Sequence, residues 1–443
     1  MKISVKRDLA FWGAVLLLSA CSSSSDDRAV STAPADQRIA VLAASHQRPL
    51  ENRVTGFQLS LPEPALADNW PQTGGNTRHA PGHPALATSL KKVWQADIGK
   101  GSGGYYKLLA SPVVRGGVIY SMDSRGEVSA FSTDSGKRLW RAETAPKKRA
   151  TDTIGGGIAL EGEFLYATTG FGEVVSMSLA DGSVLWRQSL GKPLRAAPTV
   201  AEGRVFVISI ENETYALEAQ TGRILWDHAG IAESATLMGA SSPAVEGDTV
   251  VVAYSSGELF GLRAQNGRVV WSDVLAAPAR IGALPAIADI RGLPVIEGRY
   301  VYATSHSGRT SALGLNTGAR AWEVDLGGMN TPSVVGNGVF LVTLDNELVA
   351  LCRDTGRVAW VSELQKREKP KKKDSKAVSW WGPVLAGGQL WLTNSMGHLA
   401  SFDPQSGDQL STLELGNAFF LPPVITGGVL YALDDSGKLY ALR

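Results

Sequence analysis

The residues that could bind a metal are few in this sequence, and their spacing does not suit a metal site. His79 and His83 stand four positions apart, the spacing of a helical ligand pair, but Pro81-Gly82 between them disfavours a helix. Asp434-Asp435 comes shortly before Gly437, where an ordinary tight turn accounts for both carboxylates. We therefore predict no bound metal.

Motifs for other kinds of catalysis are also missing. The sequence has no Walker lysine motif for nucleotide phosphates, no nucleophile elbow for hydrolysis and no Cys-x-x-Cys-His for haem attachment. Gly101-x-Gly103-Gly104 is a weak glycine cluster in a predicted loop. These observations predict a protein with no catalytic residues and no cofactor.

The first twenty residues have the pattern of a targeting segment. A short apolar run, Leu9–Ala20, follows the basic residues Lys2, Lys6 and Arg7. The run ends in Leu18-Ser19-Ala20-Cys21, which resembles the lipobox of bacterial lipoproteins. That resemblance implies a signal peptide over 1–20 and a lipid on Cys21, and Ser22 implies sorting to the outer membrane, on its periplasmic side. An ordinary signal peptide followed by a chance cysteine is the alternative.

Composition limits the remaining possibilities. The 443 residues carry a net charge of +1, so no basic face for nucleic acid is expected. Residues 21–68 are rich in Ser, Ala and Pro, and we predict a lipidated N-terminus and flexible spacer there, with short structure around Val54–Leu61 as an option. The two cysteines are Cys21 and Cys352, so a lipid on Cys21 leaves no intrachain disulfide.

From Val93 onward the sequence repeats with a unit of about 40–50 residues. One glycine aligns in each of the seven complete units: Gly136, Gly182, Gly222, Gly267, Gly318, Gly356 and Gly407. Four residues later six units have a tryptophan and the last has Ser411; the tryptophans are Trp140, Trp186, Trp226, Trp271, Trp322 and Trp360. Ten residues before the glycine stands Gly or Asn, the types that best tolerate positive φ, at Gly126, Gly172, Asn212, Gly257, Gly308, Asn346 and Gly397.

A small residue followed by a large apolar one precedes each aligned glycine, as in Ala130-Phe131 and Ala350-Leu351. Small residues at fixed spacing let a bulky indole ring approach a neighbouring backbone. Two short strands come earlier in each unit, as in Ser111-Pro112-Val113-Val114 and Gly117-Val118-Ile119-Tyr120. Each unit therefore predicts four antiparallel strands, which is typical of one blade of a β-propeller.

Counting predicts an all-β propeller of eight blades over residues 69–443. The eighth unit starts at Pro422-Pro423 and ends at Arg443, one strand short. The missing strand is available at Lys92-Val93-Trp94. We predict that this N-terminal strand completes the last blade and closes the ring, which removes exposed sheet edges.

The repeated small residue, Asp-x-Gly-Lys turn and Trp resemble the repeats of pyrroloquinoline-quinone-type propellers, over Asn69–Arg443. With its lipobox and eight units, the chain resembles the BamB family, the lipoprotein subunits of the outer-membrane β-barrel assembly machinery. That resemblance implies a non-catalytic scaffold.

A quinoprotein (PQQ-dependent) dehydrogenase-like enzyme in the periplasm is the alternative function. The quinoprotein alcohol dehydrogenases have an adjacent Cys pair and calcium ligands beside the quinone. This sequence has no Cys-Cys and no clustered Asp-x-Asp loop.

The same resemblance implies a partner site at Leu194 and Arg195, within Pro193-Leu194-Arg195-Ala196-Ala197-Pro198-Thr199. It implies binding to BamA-type periplasmic domains of the barrel subunit and, as a further option, to unfolded outer-membrane proteins. An exposed Leu beside Arg would suit such a contact. The alternative is a plain connection between blades with a packed Leu. The family's second contact uses two acidic residues, which Leu237–Pro243 lacks.

A basic insertion, Gln365–Asp374, stands between Trp360 and Trp381. We expect a solvated, mobile loop. Attraction to an acidic partner or an anionic lipid surface is the alternative interpretation.

Overall fold

The computed structural model describes residues 53–104, 106–145, 154–233, 236–276, 288–372 and 374–443. These residues form thirty-two β-strands and no helix. Accordingly, the described ranges contain no helix of the length and hydropathy that a membrane span requires. The expected signal peptide and Cys21 lie outside the described residues.

The strands form eight four-stranded antiparallel sheets, and seven of these use consecutive strands. Blade 1 contains β2 Val113–Arg115, β3 Val118–Met122, β4 Glu127–Ser132 and β5 Arg138–Glu143. Blade 2 contains β6 Gly156–Glu161, β7 Phe164–Thr169, β8 Glu173–Ser178 and β9 Val184–Ser189. Blade 3 contains β10 Thr199–Ala201, β11 Arg204–Ile208, β12 Glu213–Glu218 and β13 Ile224–Ala229. Blade 4 contains β14 Ala244–Glu246, β15 Thr249–Ala253, β16 Glu258–Arg263 and β17 Val269–Val274.

The second half of the chain continues the same order. Blade 5 contains β18 Val295–Glu297, β19 Tyr300–Thr304, β20 Thr310–Gly314 and β21 Arg320–Val324. Blade 6 contains β22 Ser333–Val335, β23 Gly338–Val342, β24 Glu347–Cys352 and β25 Val358–Glu363. Blade 7 contains β26 Trp380–Ala386, β27 Gln389–Asn394, β28 His398–Phe402 and β29 Gln409–Glu414. Blade 8 combines β30 Val424–Thr426, β31 Val429–Leu433 and β32 Lys438–Leu442 with β1 Lys92–Asp97 from the N-terminal side.

The predicted closure of the ring is therefore confirmed. Strand β1 pairs antiparallel with β32, with Gln95 opposite Tyr440 and Trp94 opposite Ala441. Lys91 and Arg443 extend this pairing with two reciprocal backbone hydrogen bonds of 2.8 and 2.9 Å. The N-terminal strand thus supplies the outermost strand of the last blade, as the repeat count predicts.

A tryptophan on the outermost strand joins each of seven blades to the next. Within its own blade the ring stands opposite the small residue of the third strand, as Trp140 does opposite Ala130. Its indole Nε1 donates to a backbone carbonyl of the following blade at 2.7–3.0 Å. The acceptors are Thr133, Leu179, Ala219, Ala264, Leu315, Arg353 and Pro404.

The turn residues match the sequence pattern. All seven aligned glycines have positive φ, between 66 and 81°. At the other turns Asn212 and Asn346 have φ of 60 and 56°, in the region that Gly and Asn tolerate best. The spacing of Gly, Asn and Trp therefore follows from two tight turns and one ring per blade.

The junction between blades 7 and 8 has no such ring. Because β1 supplies the fourth strand of blade 8, no hairpin links β32 to β1, and no turn glycine is there to receive an indole. Ser411 occupies the tryptophan position and shares a 2.7 Å hydrogen bond with Ser401. Leu86 and Leu90 pack in the core at this junction. The one unit without a tryptophan, in blade 7, thus faces blade 8, the blade that closes the propeller by combining strands from both ends of the repeat region.

One end of the central channel is covered by residues 65–85, which we call the N-terminal plug. Ala65 closes this segment into a loop through backbone bonds of 2.9 Å with His83 and 2.8 Å with Ala85. Backbone hydrogen bonds join the plug to the inner strands and adjoining turns of blades 1, 2, 4, 5, 7 and 8; the propeller residues are Val114, Leu160, Val245, Ile296, Gly387 and Gly427. In blade 3 the side chain of Gln72 bonds both backbone groups of Val200.

The predicted spacer boundary at residue 68 needs correction. Besides the plug, the preceding residues bond to blades 6 and 7: Val54 N–H to the Val358 carbonyl at 2.9 Å, Leu59 N–H to Gln405 Oε1 at 2.7 Å and Ser60 N–H to Asn337 Oδ1 at 2.8 Å. These backbone groups have partners on the propeller, so residues 53–68 do not act as a free spacer. The option of short structure around Val54–Leu61 falls within this attached segment, whereas its partners on blades 6 and 7 were not predicted.

Candidate functional site

The innermost strand of each blade is a sheet edge that faces the channel. Proline has no N–H to donate, so it is tolerated at such an edge. Small residues or prolines directly precede several of these strands, as in Ser111-Pro112, Ala197-Pro198, Ser242-Pro243, Thr331-Pro332 and Pro422-Pro423, and Gly382-Pro383 lies within the inner strand of blade 7. These segments line a cavity of about 140 Å³ on the axis. We call the end of the channel at which the inner strands start, opposite the plug, the upper face.

The floor of the cavity is the N-terminal plug. Trp70, Thr73, Gly74, His79 and Pro81 all line it. His79 is 2% exposed, and its Nδ1 lies 2.8 Å from the Pro294 carbonyl. A ring nitrogen beside a carbonyl acts as the donor, so Nδ1 carries the proton. Burial lowers the pKa of His79 from 6.5 to about 4, so the imidazole is neutral at physiological pH.

Two arginines stand among the residues that line the cavity. Arg291 lies 4.5 Å from the ring centroid of Trp381, in a cation–π contact. Its Nε donates to the Met238 carbonyl at 2.6 Å, and its Nη1 to that of Met329 at 3.3 Å. Burial lowers the pKa of Arg291 from 12.5 to about 10, which still leaves it a cation at neutral pH.

Arg195 is the second arginine and belongs to the connection between blades 2 and 3. Its Nη1 donates to Thr236 Oγ1 at 3.3 Å, while its buried Nε has no partner among the described residues. Its neighbour Leu194 is 0% exposed and packs in the core with Tyr166, Val205 and Leu217. Of the two interpretations of this connection, the packed Leu is the one that the structure shows and the exposed Leu is wrong, because the connection turns its leucine into the core between blades. The part in partner binding that the resemblance implies for Leu194 and Arg195 stays a prediction.

The stretch without acidic residues, Leu237–Pro243, lies beside an acid from the next connection. Asp289 accepts a hydrogen bond from the Leu237 N–H at 2.8 Å. Burial raises the pKa of Asp289, and the nearby Arg291 opposes this shift. Asp289 could not be assigned from the sequence because it is more than forty residues from the stretch that it contacts.

The basic insertion forms a short hairpin rather than a loop without backbone pairing. Arg367 and Ala377 form an antiparallel bridge, and Glu368 N–H donates to the Lys376 carbonyl at 3.0 Å. The indole Nε1 of Trp380 donates to the Gln365 carbonyl at 3.0 Å and ties the base of the hairpin to blade 7. The expected loop is corrected to this extent; Lys366, Lys369, Lys371 and Lys372 are exposed to solvent, and the mobility of the insertion stays a prediction.

The residues first considered for metal chemistry have structural partners. His83 Nε2 accepts from the Gly388 N–H at 2.8 Å, and its Nδ1 lies 2.7 Å from the Pro62 carbonyl. Asp434 accepts hydrogen bonds from the backbone N–H groups of Ser436 and Lys438, both at 2.9 Å, as a turn residue does. In the part of the chain that the structure describes, no three His, Cys, Asp or Glu side chains come together in a way that could hold a metal ion.

The cavity lining does not fit the calcium–quinone pair of the quinoprotein dehydrogenases. Calcium binds oxygen ligands and prefers carboxylates. Among the described residues that line the cavity none is Asp or Glu, and the one carboxamide is that of Asn330. Two arginines at the same place would oppose a divalent cation. The arrangement instead suits a neutral or anionic group.

Sequence reasoning missed the pairing of Arg291 with Trp381. One signal was available, because Trp381 falls outside the tryptophan phase of the repeats and directly precedes Gly382-Pro383 at the start of an inner strand. Arg291 gave no comparable signal.

Comparison with known proteins agrees with this architecture. The family model described as outer membrane protein assembly factor BamB matches residues 86–150 and 124–362. An outer membrane protein assembly factor BamB of Alkalilimnicola ehrlichii is 33% identical over 356 residues, which cover 80% of this chain and 88% of that protein.

Two solved structures share the fold. The crystal structure of BamB from Moraxella catarrhalis aligns with a TM-score of 0.68 and 19% identity, over 80% of this chain and 100% of that one. The quinohemoprotein alcohol dehydrogenase of Comamonas testosteroni aligns with a TM-score of 0.67 and 14% identity, over 85% and 81%. At these identities the likeness concerns the propeller alone. The matches in sequence are the ones that assign the family: this chain belongs to the BamB family of outer membrane protein assembly factors.

Proposed function

We propose that this chain is a non-catalytic scaffold subunit of the machinery that assembles and inserts β-barrel proteins in the outer membrane. The observation that carries the proposal is the match to a relative named as an outer membrane protein assembly factor, over 80% of the chain. The geometry adds a closed ring whose channel is plugged at one end and whose cavity has arginines and no carboxylate among its described lining residues. A rigid ring of this kind is suited to holding partner segments in a fixed arrangement.

The proposed partner is a barrel subunit with BamA-type periplasmic domains, which the upper face contacts through the connection between blades 2 and 3. Arg195 is the side chain that reaches toward the partner, since a guanidinium can form directed hydrogen bonds to backbone or carboxylate oxygens. Leu194 supports this contact indirectly, because its fully buried side chain fixes the position of the backbone that carries Arg195. Unfolded outer-membrane proteins are a second class of partner in this proposal.

The propeller would be held at the periplasmic side of the outer membrane by a lipid on Cys21. Residues 1–20 would be removed as a signal peptide, as the lipobox resemblance implies. Replacing Cys21 by Ser tests this part separately: the variant should lose the lipid-dependent mass increase and move from the membrane to the soluble periplasmic fraction. A Cys21→Ser protein that stays on the membrane would contradict lipid anchoring. It would not bear on the scaffold role, which the partner-binding experiment tests separately.

The partner contact is tested with Arg195→Glu in the full-length, membrane-bound protein. We expect co-purification of the barrel subunit to fall about tenfold or more, which corresponds to about 1.4 kcal/mol or more of binding free energy. Arg223→Glu is the matched control, because Arg223 is exposed on the hairpin between β12 and β13, at the opposite end of the blade. Equal recovery of the barrel subunit with both variants would remove Arg195 from the interface.

Leu194→Glu is unsuitable for the same experiment. Leu194 is 0% exposed, so a charge there would sit unpaired in the core and unfold the blade. Loss of binding in such a variant would report on folding rather than on contact.

An enzymatic function of the quinoprotein type has no specific support in the site. The likeness to the dehydrogenase is one of fold at 14% identity, and the described cavity residues do not suit calcium.

A further inference from the structure

The cavity at the upper face has the size of a binding site for a small organic group. Its volume is about 140 Å³. A protein cavity of about 150 Å³ is known to hold one benzene molecule. Apolar side chains form part of the wall, among them Leu293, Met329, Phe420 and Leu421. An aromatic ring or a side chain of similar volume therefore fits the apolar part of this space.

Buried polar atoms at the same place lack partners within the described residues. They are Nε of Arg195 and Nε1 of Trp381, which are donors, Oγ1 of Thr73, which can donate or accept, and Nε2 of His79. Because Nδ1 of the neutral His79 donates to Pro294, its Nε2 is an acceptor. A buried polar group without a hydrogen bond destabilises a protein, and native structures contain few of them. Four residues with such atoms around one cavity indicate that a ligand with polar atoms completes the site.

The charge at the cavity selects an anion. Arg195 and Arg291 both line it, and its described lining residues include no Asp or Glu. Asp289 lies in the adjoining cavity and offsets part of the Arg291 charge. Two guanidiniums against one carboxylate leave an excess of one positive charge. A monoanion balances this excess, whereas a phosphate dianion would be left partly uncompensated in a site with apolar walls.

We propose that this cavity binds a carboxylate attached to an apolar body of about one aromatic ring, with the carboxylate at Arg195 and Arg291 and the ring against Trp381 and Phe420. A planar carboxylate suits the donor geometry of a guanidinium. Such a group occurs both in free small acids and at the C-terminus of a polypeptide whose last residue is apolar.

The test uses the full-length purified protein and calorimetric titration with matched ligand pairs. N-acetyl-L-phenylalanine carries the carboxylate, and N-acetyl-L-phenylalaninamide is its neutral counterpart. We expect saturable binding of the acid and at least about tenfold weaker binding of the amide, a difference of about 1.4 kcal/mol. A pentapeptide ending in Phe, as free acid and as C-terminal amide, separates the sources: binding of the acidic peptide assigns a chain terminus, and binding of the amino acid alone assigns a small acid.

Variants connect the binding to the named residues. Arg291→Gln and Arg195→Gln should each weaken binding of the acid by about tenfold, whereas Arg223→Gln on the distant hairpin should leave it unchanged. Trp381→Phe keeps an aromatic ring under Arg291 but removes the unpaired indole donor, and it should also weaken binding of the acid. Circular dichroism and thermal unfolding check that each variant is folded. The proposal is overturned if the acid does not saturate up to tens of millimolar, if acid and amide bind equally, or if folded Arg195→Gln and Arg291→Gln bind like the unchanged protein.

Discussion

The indole ring of Trp140 lies over Gly182 of the next blade, so close that no side chain can replace the α-hydrogen of this glycine. A Cβ built on Gly182 would lie 2.7 Å from the ring carbons Cε3 and Cζ3 of Trp140. The same indole donates its Nε1–H to the Leu179 carbonyl at 2.9 Å. The turn glycine of one blade therefore fixes the position of the ring from the preceding blade.

Gly182→Ala should destabilise the protein by about 2–4 kcal/mol. One part is the positive φ of 74°, which costs a residue with a Cβ about 1–2 kcal/mol, and the rest is the clash with the ring. Gly203→Ala is the matched control, since Gly203 has a φ of 73° but no atom within 4 Å of an added Cβ. Chemical denaturation of both variants separates the two contributions. Equal losses of stability would mean that the indole does not depend on the glycine.

The closing strand is expected to keep the ring monomeric. Deleting residues 92–97 removes β1 and leaves an edge of β32 unpaired, which we expect to cause aggregation measurable by size-exclusion chromatography. Trp94→Ala is the control, because it keeps the strand but removes the ring that donates to the Thr133 carbonyl at 2.7 Å. That variant should stay monomeric and lose about 3 kcal/mol of stability. A soluble, cooperatively folding deletion variant would contradict this role of β1.

The blades were predictable from sequence because each repeats the same two turns and one ring. Gly182 and Trp140 are informative since a glycine at positive φ and a ring beside it recur in phase along the chain. Even the exception at Ser411 has a reason in the closure of the ring, where the neighbouring turn does not exist.

The candidate site was less predictable because it is made of segments without periodicity. The plug residue Gln72 bonds to Val200, 128 positions away, and no spacing rule links the two. The burial of Leu194 depends on how one connection enters the core, which the local sequence does not encode. Arg291 and Trp381 meet only because blades 5 and 7 face one axis.

Gln72→Ala should loosen the plug on blade 3. The Gln72 side chain, 4% exposed, accepts from the Val200 N–H at 3.0 Å and donates to the Val200 carbonyl at 2.7 Å. Its removal leaves two buried backbone groups without partners, for a loss of about 2–4 kcal/mol. Hydrogen exchange of the Val200 amide should rise with the fall in stability.

Gln405→Ala is the control for that change. Gln405 makes the same pair of bonds, from the Leu59 N–H at 2.7 Å and to the Phe57 carbonyl at 2.7 Å, but in an exposed position. Water replaces these bonds, so the expected loss is below about 1 kcal/mol. Similar losses for both variants would show that the burial of Gln72 does not matter to the plug.

His79 should make the stability of the propeller fall as the pH is lowered. Its pKa is about 4 in the folded protein, against 6.5 for the unfolded chain, because burial disfavours the cation. The unfolded chain therefore binds more protons between these values, and this residue alone costs the fold about 2 kcal/mol between pH 7.5 and pH 5. His79→Asn is the matched variant, since Asn tolerates the φ of 58° and can donate to Pro294 without titrating. Urea denaturation at both pH values should give a smaller pH-dependent loss in His79→Asn. If the variant and the unchanged protein lose the same stability, His79 is not a buried neutral imidazole beneath the cavity.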